Sequence, residues 1–146
     1  MVAKEIFFNQ YFYIAFIAWL IAQLSKVVTN LISEKRLNLY RLVGSGGMPS
    51  SHSSFVMGLT TSIGLDKGWD SGSFAIALVF SLVIMYDASG VRRAVGKQAI
   101  ILNTMIDDLY KHKHIEQDKL KELIGHTPYE VFVGAILGIV IANLMM

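Results

Sequence analysis

Long apolar segments between short polar loops are the feature that most limits what this chain can fold into. A helix needs about 20 predominantly apolar residues to cross the hydrocarbon core of a bilayer, because each residue rises about 1.5 Å. The segment at 6–30 has that length, and segments at 50–66, 72–88 and 128–145 come close to it. Since 53% of the 146 residues are hydrophobic and 16% are charged, the composition indicates an integral membrane protein.

The sequence therefore predicts an all-α integral membrane fold, with a single domain over residues 1–146. It comprises four transmembrane helices at the segments named above and one amphipathic helix on the cytoplasmic surface. The surface helix is expected at about 91–111, where apolar residues recur at helical spacing and charged residues fill the other side. The two middle spans are short and are expected to reach full depth only with their polar ends.

The distribution of basic residues predicts the orientation. Eleven of the thirteen Lys and Arg residues lie in or beside the loops after the first and third spans, and only Lys4 and Lys67 lie on the opposite side. Because cytoplasmic loops are enriched in positive charge, both termini are expected outside and the two large loops inside. We expect a bacterial cytoplasmic membrane protein.

The stretch at 46–54 (Gly-Gly-Met-Pro-Ser-Ser-His-Ser-Ser) is a candidate anion site. Its glycines let successive N–H groups point inward, Pro49 suits the first turn of a helix, and Ser50 or Ser51 can cap it. A helix N-terminus favours phosphate, and His52 can exchange a proton near neutral pH. On these residues alone, a glycine-serine turn that caps a membrane helix, with a surface histidine, is an equal alternative.

The predicted topology brings further polar groups to the same membrane face. The third span ends near Asp87, the fourth begins near His126, and the first ends near Lys26, which shares a helix face with Gln23 and Asn30. Lys26 has two interpretations. Its amine either extends to the lipid headgroups, which is the favoured one, or points into a polar site.

Four motifs carry a resemblance to a known family. Pro49-Ser50-Ser51-His52 resembles the Pro-Ser-Gly-His motif of the type 2 phosphatidic acid phosphatase and vanadium haloperoxidase superfamily, and His126-x-x-x-Glu130 resembles its His-x-x-x-Asp. Ser89-Gly-Val-Arg92-Arg93 is similar to its Ser-Arg, and Lys35 with Arg41 is similar to its Lys-x6-Arg-Pro. The runs from Gly46 to His52, Tyr86 to Gln98 and Gly125 to Glu130 resemble a divergent, compact branch of that superfamily.

The sequence departs from the superfamily pattern in several places. Lys35 and Arg41 are one residue too close together, and Leu42 stands where proline is expected. Ser51 replaces a glycine, and Glu130 replaces an aspartate. Thirty-two residues (94 to 125) separate the arginine pair from His126, where the superfamily has five. Lys26 is the alternative to Lys35 in the first motif.

The resemblance implies a membrane-embedded, metal-independent lipid phosphate phosphatase that forms a phosphohistidine. His126 is then the nucleophile, His52 the general acid and base, and Glu130 the group that holds His126. The phosphate-binding candidates are Arg92, Arg93, Arg41, Lys35, Ser50, Ser51, Gly46 and Gly47. Asp87, Lys26 and Lys97 are supporting candidates, with Asp87 expected to orient an arginine. The residues provide no evident metal site, no cofactor is expected, and vanadate is expected to act as a phosphate mimic and inhibitor.

Other interpretations remain open for some of these residues and for the function. Thr127-x-x-Glu130, with Pro128 at the first helical position, is also a capping box. Gly134 and Gly138 form a ridge for close helix packing, and this helix face is the candidate surface for a homo-oligomer. The expected partners are membrane lipids and a lipid phosphate substrate, with no nucleic acid. The alternative function is a non-catalytic carrier or scaffold that binds anionic lipid headgroups, with a vanadium-dependent peroxidase third.

Overall fold

A computed structural model of the chain describes residues 9–34, 47–110 and 125–146. Within these ranges the structure is helical, with no strand. The five helices are α1 (Gln10–Glu34), α2 (Ser51–Lys67), α3 (Gly72–Ser89), α4 (Val91–Tyr110) and α5 (Pro128–Met145). The all-helical prediction is confirmed, and each predicted segment contains a helix close to the expected bounds.

Helix α2 is the centre of the bundle, and α1, α3 and α5 all pack against it. This position accounts for its unusual composition, because six of its Ser and Thr side chains are buried. Two of these hydroxyls donate to neighbouring helices: Ser54 Oγ to the carbonyl of Ala18 at 3.0 Å, and Thr60 Oγ1 to that of Ala77 at 3.1 Å. In an apolar environment such bonds are needed, since an unsatisfied polar group costs free energy.

Helices α2 and α5 approach each other backbone to backbone. A Cβ atom at Gly134 would overlap the carbonyl oxygen of Ser50, and one at Gly138 would lie 2.8 Å from the backbone nitrogen of Gly58. The ridge that the sequence predicted for close packing is therefore occupied by α2 of the same chain. An oligomer built on this ridge would have to displace α2, and self-association by any surface stays a prediction.

The direction of the helices brings their polar ends together. Lys26 of α1 contacts Ser51 of α2 at one end of the bundle, and Tyr11 contacts Asp66 at the other. The backbone N–H of His126 donates to the carbonyl of Ala88 at 3.1 Å, so the end of α3 and the entry to α5 meet at the Lys26 end. The predicted convergence of polar groups at one end is confirmed by these contacts.

Within the described residues, three apolar stretches are long enough to cross a membrane. They are Gln10–Thr29, Pro128–Met145 and Gly72–Asp107, the last running from α3 across Gly90 into α4. Helix α2 has 17 residues and a polar, buried surface, so it is not among them. The membrane class is confirmed, whereas the count of four spans and the surface position of α4 stay predictions.

Two local expectations need adjustment. Pro49 was expected in the first turn of α2, but the helix begins at Ser51 with Ser50 as its N-cap, so Pro49 precedes the cap. Helix α4 follows α3 after a single residue, Gly90, whose N–H donates to the carbonyl of Tyr86 at 2.8 Å. The two helices are therefore joined with almost no loop.

Candidate active site

Two helix N-termini lie side by side and form the floor of the candidate site. The backbone N–H of Ser50 donates to the carbonyl of Glu130 at 3.0 Å, which ties the start of α2 to the first turn of α5. Ser50 caps α2 by accepting from the N–H of Ser53, and Thr127 caps α5 by accepting from the N–H of Glu130. Both positive dipole ends therefore meet in one place, which favours an anion there.

Two histidines face each other above these caps. The ring centroids of His52 and His126 lie 5.9 Å apart, with an angle of 66° between the ring planes. His126 is only 2% exposed, and its backbone is held by Ala88. Although they are 74 positions apart in the chain, α2 and the entry to α5 bring these two residues, predicted as catalytic, into contact.

Glu130 fixes the orientation of His126. Its Oε2 atom lies 3.2 Å from His126 Nδ1 and accepts from the N–H of Thr127 at 2.9 Å. The capping box predicted at Thr127 and Glu130 is confirmed, with Pro128 in the first turn. The same oxygen therefore serves both the cap and His126.

Each histidine of the pair has one ring nitrogen that makes no hydrogen bond within the described part of the chain. Among the described residues, neither His126 Nε2 nor His52 Nδ1 has a hydrogen-bond partner, although both are buried. Burial lowers the pKa of His126 below the ordinary value of 6.5, against the opposing effect of its hydrogen bond to Glu130. Near neutral pH, His126 is therefore an uncharged imidazole with Nε2 available.

Lys26 is a buried cation beside the pair. It is 3% exposed, and its Nζ donates to Ser51 Oγ at 3.0 Å. Its side chain passes under Gly47, which has the positive φ of 85° that glycine adopts readily. The favoured interpretation, in which this amine extends to the headgroups, is wrong. The shared face of Gln23 and Lys26 was the signal for the other interpretation, since both are buried.

Arg92 is the second cation that acts on the histidines. Its charge and that of Lys26 both influence His52 and His126 electrostatically. The Arg92 Nε atom donates to Asp87 Oδ2 at 2.8 Å, so Asp87 orients an arginine as expected. Because α4 starts directly after Gly90, its first turn stays next to the end of α3 and the site.

Other predicted residues are placed differently. Arg93 and Lys97 are exposed on α4, and no contact of their side chains with the histidines is present in the described part of the chain. Arg93 instead contributes backbone packing, because a Cβ at Gly125 would overlap it. The hydroxyl of Ser50 is fully buried and accepts from Ser53 Oγ at 3.1 Å. Lys35, Arg41 and Gly46 lie outside the described residues.

An apolar surface that borders His52 was not predicted from the sequence. Phe12, Phe16 and Trp19 of α1 line a cleft whose wall also includes His52. Their spacing of four and three residues was a readable signal, because it places all three rings on one helix face. In the described ranges, no group of three His, Cys, Asp or Glu residues is arranged to hold a metal ion.

This arrangement suits binding and transfer of a tetrahedral anion. Two cations and two helix N-termini supply positive charge, and one imidazole is held with a free nitrogen next to a second imidazole. Such a set can stabilise developing charge on oxygen, attack an electrophilic centre and move a proton.

Comparison with known proteins agrees with the membrane fold. A family model described as "Divergent PAP2 family", in which PAP2 denotes type 2 phosphatidic acid phosphatase, matches residues 7–141. A protein of Bacillus subtilis (strain 168), "Uncharacterized membrane protein YuiD", is 38% identical over 135 residues, covering 85% of each chain. No solved structure matches the chain.

Proposed function

The chain belongs to the divergent PAP2 family, and from this membership we propose that it is a metal-independent lipid phosphate phosphatase working through a phosphohistidine. The observation that carries the proposal is the histidine pair. His126 is held at Nδ1 by Glu130 and keeps a buried, unpartnered Nε2, with the His52 ring 5.9 Å away. A site that only binds phosphate needs neither a held nucleophile nor a proton donor beside it.

In the first step, Nε2 of His126 forms a bond to phosphorus while the bond from phosphorus to the lipid oxygen breaks. His52, in its protonated form, donates its proton to the departing oxygen, so that an alcohol leaves. For a lipid diphosphate, the attack falls on the terminal phosphorus, its bond to the bridging oxygen breaks, and the departing group is the lipid monophosphate. Glu130 stabilises the charge that develops on the His126 ring, as a carboxylate does for an imidazole in other hydrolases.

In the second step, a water molecule attacks the phosphorus of the phosphohistidine. The now neutral His52 takes a proton from this water, the bond between phosphorus and Nε2 breaks, and inorganic phosphate is released. His126 returns to its neutral state, and His52 to its protonated state. Each group therefore ends the cycle as it began.

Positive charge around the phosphoryl oxygens supplies the remaining stabilisation. Lys26 is the buried cation at the start of α2, and it takes the role that the first motif of the superfamily gives to a lysine. Arg92, oriented by Asp87, is the better placed of the two adjacent arginines. Gly47 and the N-terminus of α2 add backbone dipoles. Removal of one such donor typically costs about 10²–10³-fold in rate.

The experiment uses purified protein and a panel of lipid phosphates, with released phosphate as the readout. His126→Ala should abolish turnover and leave phospholipid binding intact, because the cations remain. A substrate with a good leaving group should leave an acid-labile phosphoenzyme in His52→Ala, whose first step no longer depends on the acid. Loss of general acid–base catalysis alone typically lowers the reaction rate by about 10²–10⁴-fold.

Two control variants make this result specific. His114→Ala removes a histidine that lies among charged residues in the sequence and is not one of the predicted site residues, and it should turn over at the wild-type rate. Lys26→Met should weaken both phospholipid binding and turnover, unlike His126→Ala. If His126→Ala hydrolyses at the wild-type rate, the phosphohistidine mechanism is wrong and a carrier or scaffold for anionic headgroups becomes the better assignment.

A further inference from the structure

An apolar cleft of about 380 Å³ opens beside the histidine pair, between α1, α2 and α3. Phe12, Phe16 and Trp19 form its α1 wall, and Phe55 and His52 of α2 with Ile84 of α3 form the rest. The cleft is part of the candidate site because His52 lines it. One ring, His52, borders the cleft and also faces His126.

The α1 wall is a continuous aromatic surface. The rings of Phe12 and Phe16 stack with centroids 6.5 Å apart, and those of Phe16 and Trp19 at 5.5 Å. The edge of Phe55 meets Phe12 at 6.3 Å, which joins this wall to α2. Phe12 is 37% and Phe16 is 42% exposed, so the cleft opens sideways, toward the space that a bilayer fills around a membrane protein.

One side of α1 is apolar toward the N-terminus of the helix and polar toward its C-terminus. Phe12, Phe16, Trp19, Gln23 and Lys26 follow at spacings of four, three, four and three residues, which keeps all five on one side of the helix. Trp19 and Lys26 are seven residues apart, or about 10 Å along the axis. A molecule lying along this side would be apolar at one end and anionic at the other.

The size of the cleft limits what it can hold. A water molecule occupies about 30 Å³ in the liquid and a methylene group is of similar size, so 380 Å³ accommodates about twelve methylenes. This is part of one hydrocarbon chain and too little for two.

We propose that the cleft holds one hydrocarbon chain of the lipid phosphate, which enters sideways from the bilayer and places its phosphate between His52 and His126. Hydrolysis of the bound lipid rests on the proposed function, whereas binding of its hydrocarbon chain in the cleft does not. Because bilayer lipids are as apolar as the cleft, the chain gains little hydrophobic free energy there. The cleft instead positions the phosphate, and misplacement of a substrate by about 1 Å can cost 10²-fold in rate.

The test fills the cleft and compares two substrates. Ile84→Phe places a ring in the cleft, and Val83→Phe makes the same kind of change at a neighbouring position that is 62% exposed and does not line it. In phosphatidylcholine nanodiscs, Ile84→Phe should hydrolyse phosphatidic acid about 10- to 100-fold more slowly. Its hydrolysis of water-soluble para-nitrophenyl phosphate should stay within about twofold of the wild-type rate, and Val83→Phe should change neither rate.

Equal losses on both substrates, or no loss on either, would overturn the assignment of the cleft and leave the phosphatase proposal standing. A wild-type protein that releases phosphate from no member of the lipid phosphate panel would instead contradict the phosphatase proposal.

Photocrosslinking tests the cleft without turnover and without a cleft variant that must fold. The His126→Ala protein is labelled with phosphatidic acid that carries a diazirine near the tenth carbon of one chain. Labelled peptides should contain Phe12, Phe16 or Phe55, and the same lipid without its phosphate should label them at least fivefold less. Equal labelling by the two lipids would show that ordinary bilayer chains fill the cleft, and the inference would be wrong.

Discussion

One oxygen of Glu130 serves two groups, and this arrangement determines the state of His126. Oε2 meets both the N–H of Thr127 and Nδ1 of His126. The cap keeps the carboxylate in place even when the imidazole moves or changes its charge. The nitrogen that remains, Nε2, is thereby directed into the site by the start of α5 and not by a flexible loop.

The pH dependence of the reaction should report the environment of His126. Only the neutral imidazole attacks, so the rate falls as the pH drops through the pKa of this residue. Because burial lowers that pKa, the acid limb of kcat/KM should lie below pH 6.5. Glu130 raises the pKa, so Glu130→Gln should move the limb to still lower pH. It should also reduce the rate at pH 7, because the charge that develops on the His126 ring is then no longer stabilised by a carboxylate.

Stopped-flow phosphate release between pH 4.5 and 8 measures both effects, and Glu130→Gln retains the capping box because glutamine serves equally well there. An acid limb that moves to higher pH in Glu130→Gln would show that the carboxylate does not act on the nucleophile.

Single residues also show where the sequence was informative. The pairing of His126 with Glu130 was predicted from the resemblance to the superfamily motif, and it forms although His126 precedes the N-cap Thr127 and lies outside α5. The burial of Lys26 was not predictable from the sequence. Whether a lysine near a helix end extends outward or inward depends on what packs over it, and here Gly47 and Ser51 arrive from another part of the chain.

Among the helices, α2 departs most from an ordinary membrane helix. Its Ser54 and Thr60 hydroxyls donate to carbonyls of α1 and α3, and its backbone meets the glycine ridge of α5. Helix positions were predictable from the apolar segments, because length and hydrophobicity are properties of the sequence. The central place of α2 was not, since a short, polar helix can equally be peripheral, and only contacts between helices distinguish the two.

The α2–α5 contact should tolerate no added carbon. Gly138→Ala places a Cβ against the backbone of Ser54 and Gly58, which cannot move like a side chain, and overpacking of this kind typically costs about 1–3 kcal/mol. Gly72→Ala makes the same change where no atom lies within 4 Å and should be neutral or slightly stabilising. Thermal unfolding in detergent compares the two. An equal melting temperature for both variants would mean that α5 is not packed this closely.

For the whole molecule, the direction of each helix places the histidines at one end of the bundle and the turn between α2 and α3 at the other. The membrane family and the apolar helices establish a membrane protein. Its orientation is an inference from the charge distribution, in which eleven of the thirteen Lys and Arg residues lie in or beside the loops predicted after the first and third spans. If those loops are cytoplasmic, the proposed substrate is a lipid phosphate of the inner leaflet.

Cysteine labelling in cells tests the orientation, and the absence of native cysteine makes it simple. Asp70→Cys, in the exposed turn after α2, should react with an impermeant maleimide in intact cells. Gln98→Cys, exposed on α4, should react only after permeabilisation. The reverse pattern would place the site outside and would change the leaflet of the substrate.

The buried hydroxyls of α2 have a consequence for biosynthesis. With 17 residues and six buried Ser and Thr side chains, this helix has little tendency to leave the translocon for lipid on its own. Its hydroxyls find acceptors on α1, which is made earlier, and on α3, which is made later. Its closest backbone neighbour, α5, is synthesised after α1, α2, α3 and α4. A nascent chain therefore cannot assemble this centre until α5 has left the ribosome, and loss of α5 in a truncated product would remove His126's partner Glu130 as well as the support of α2.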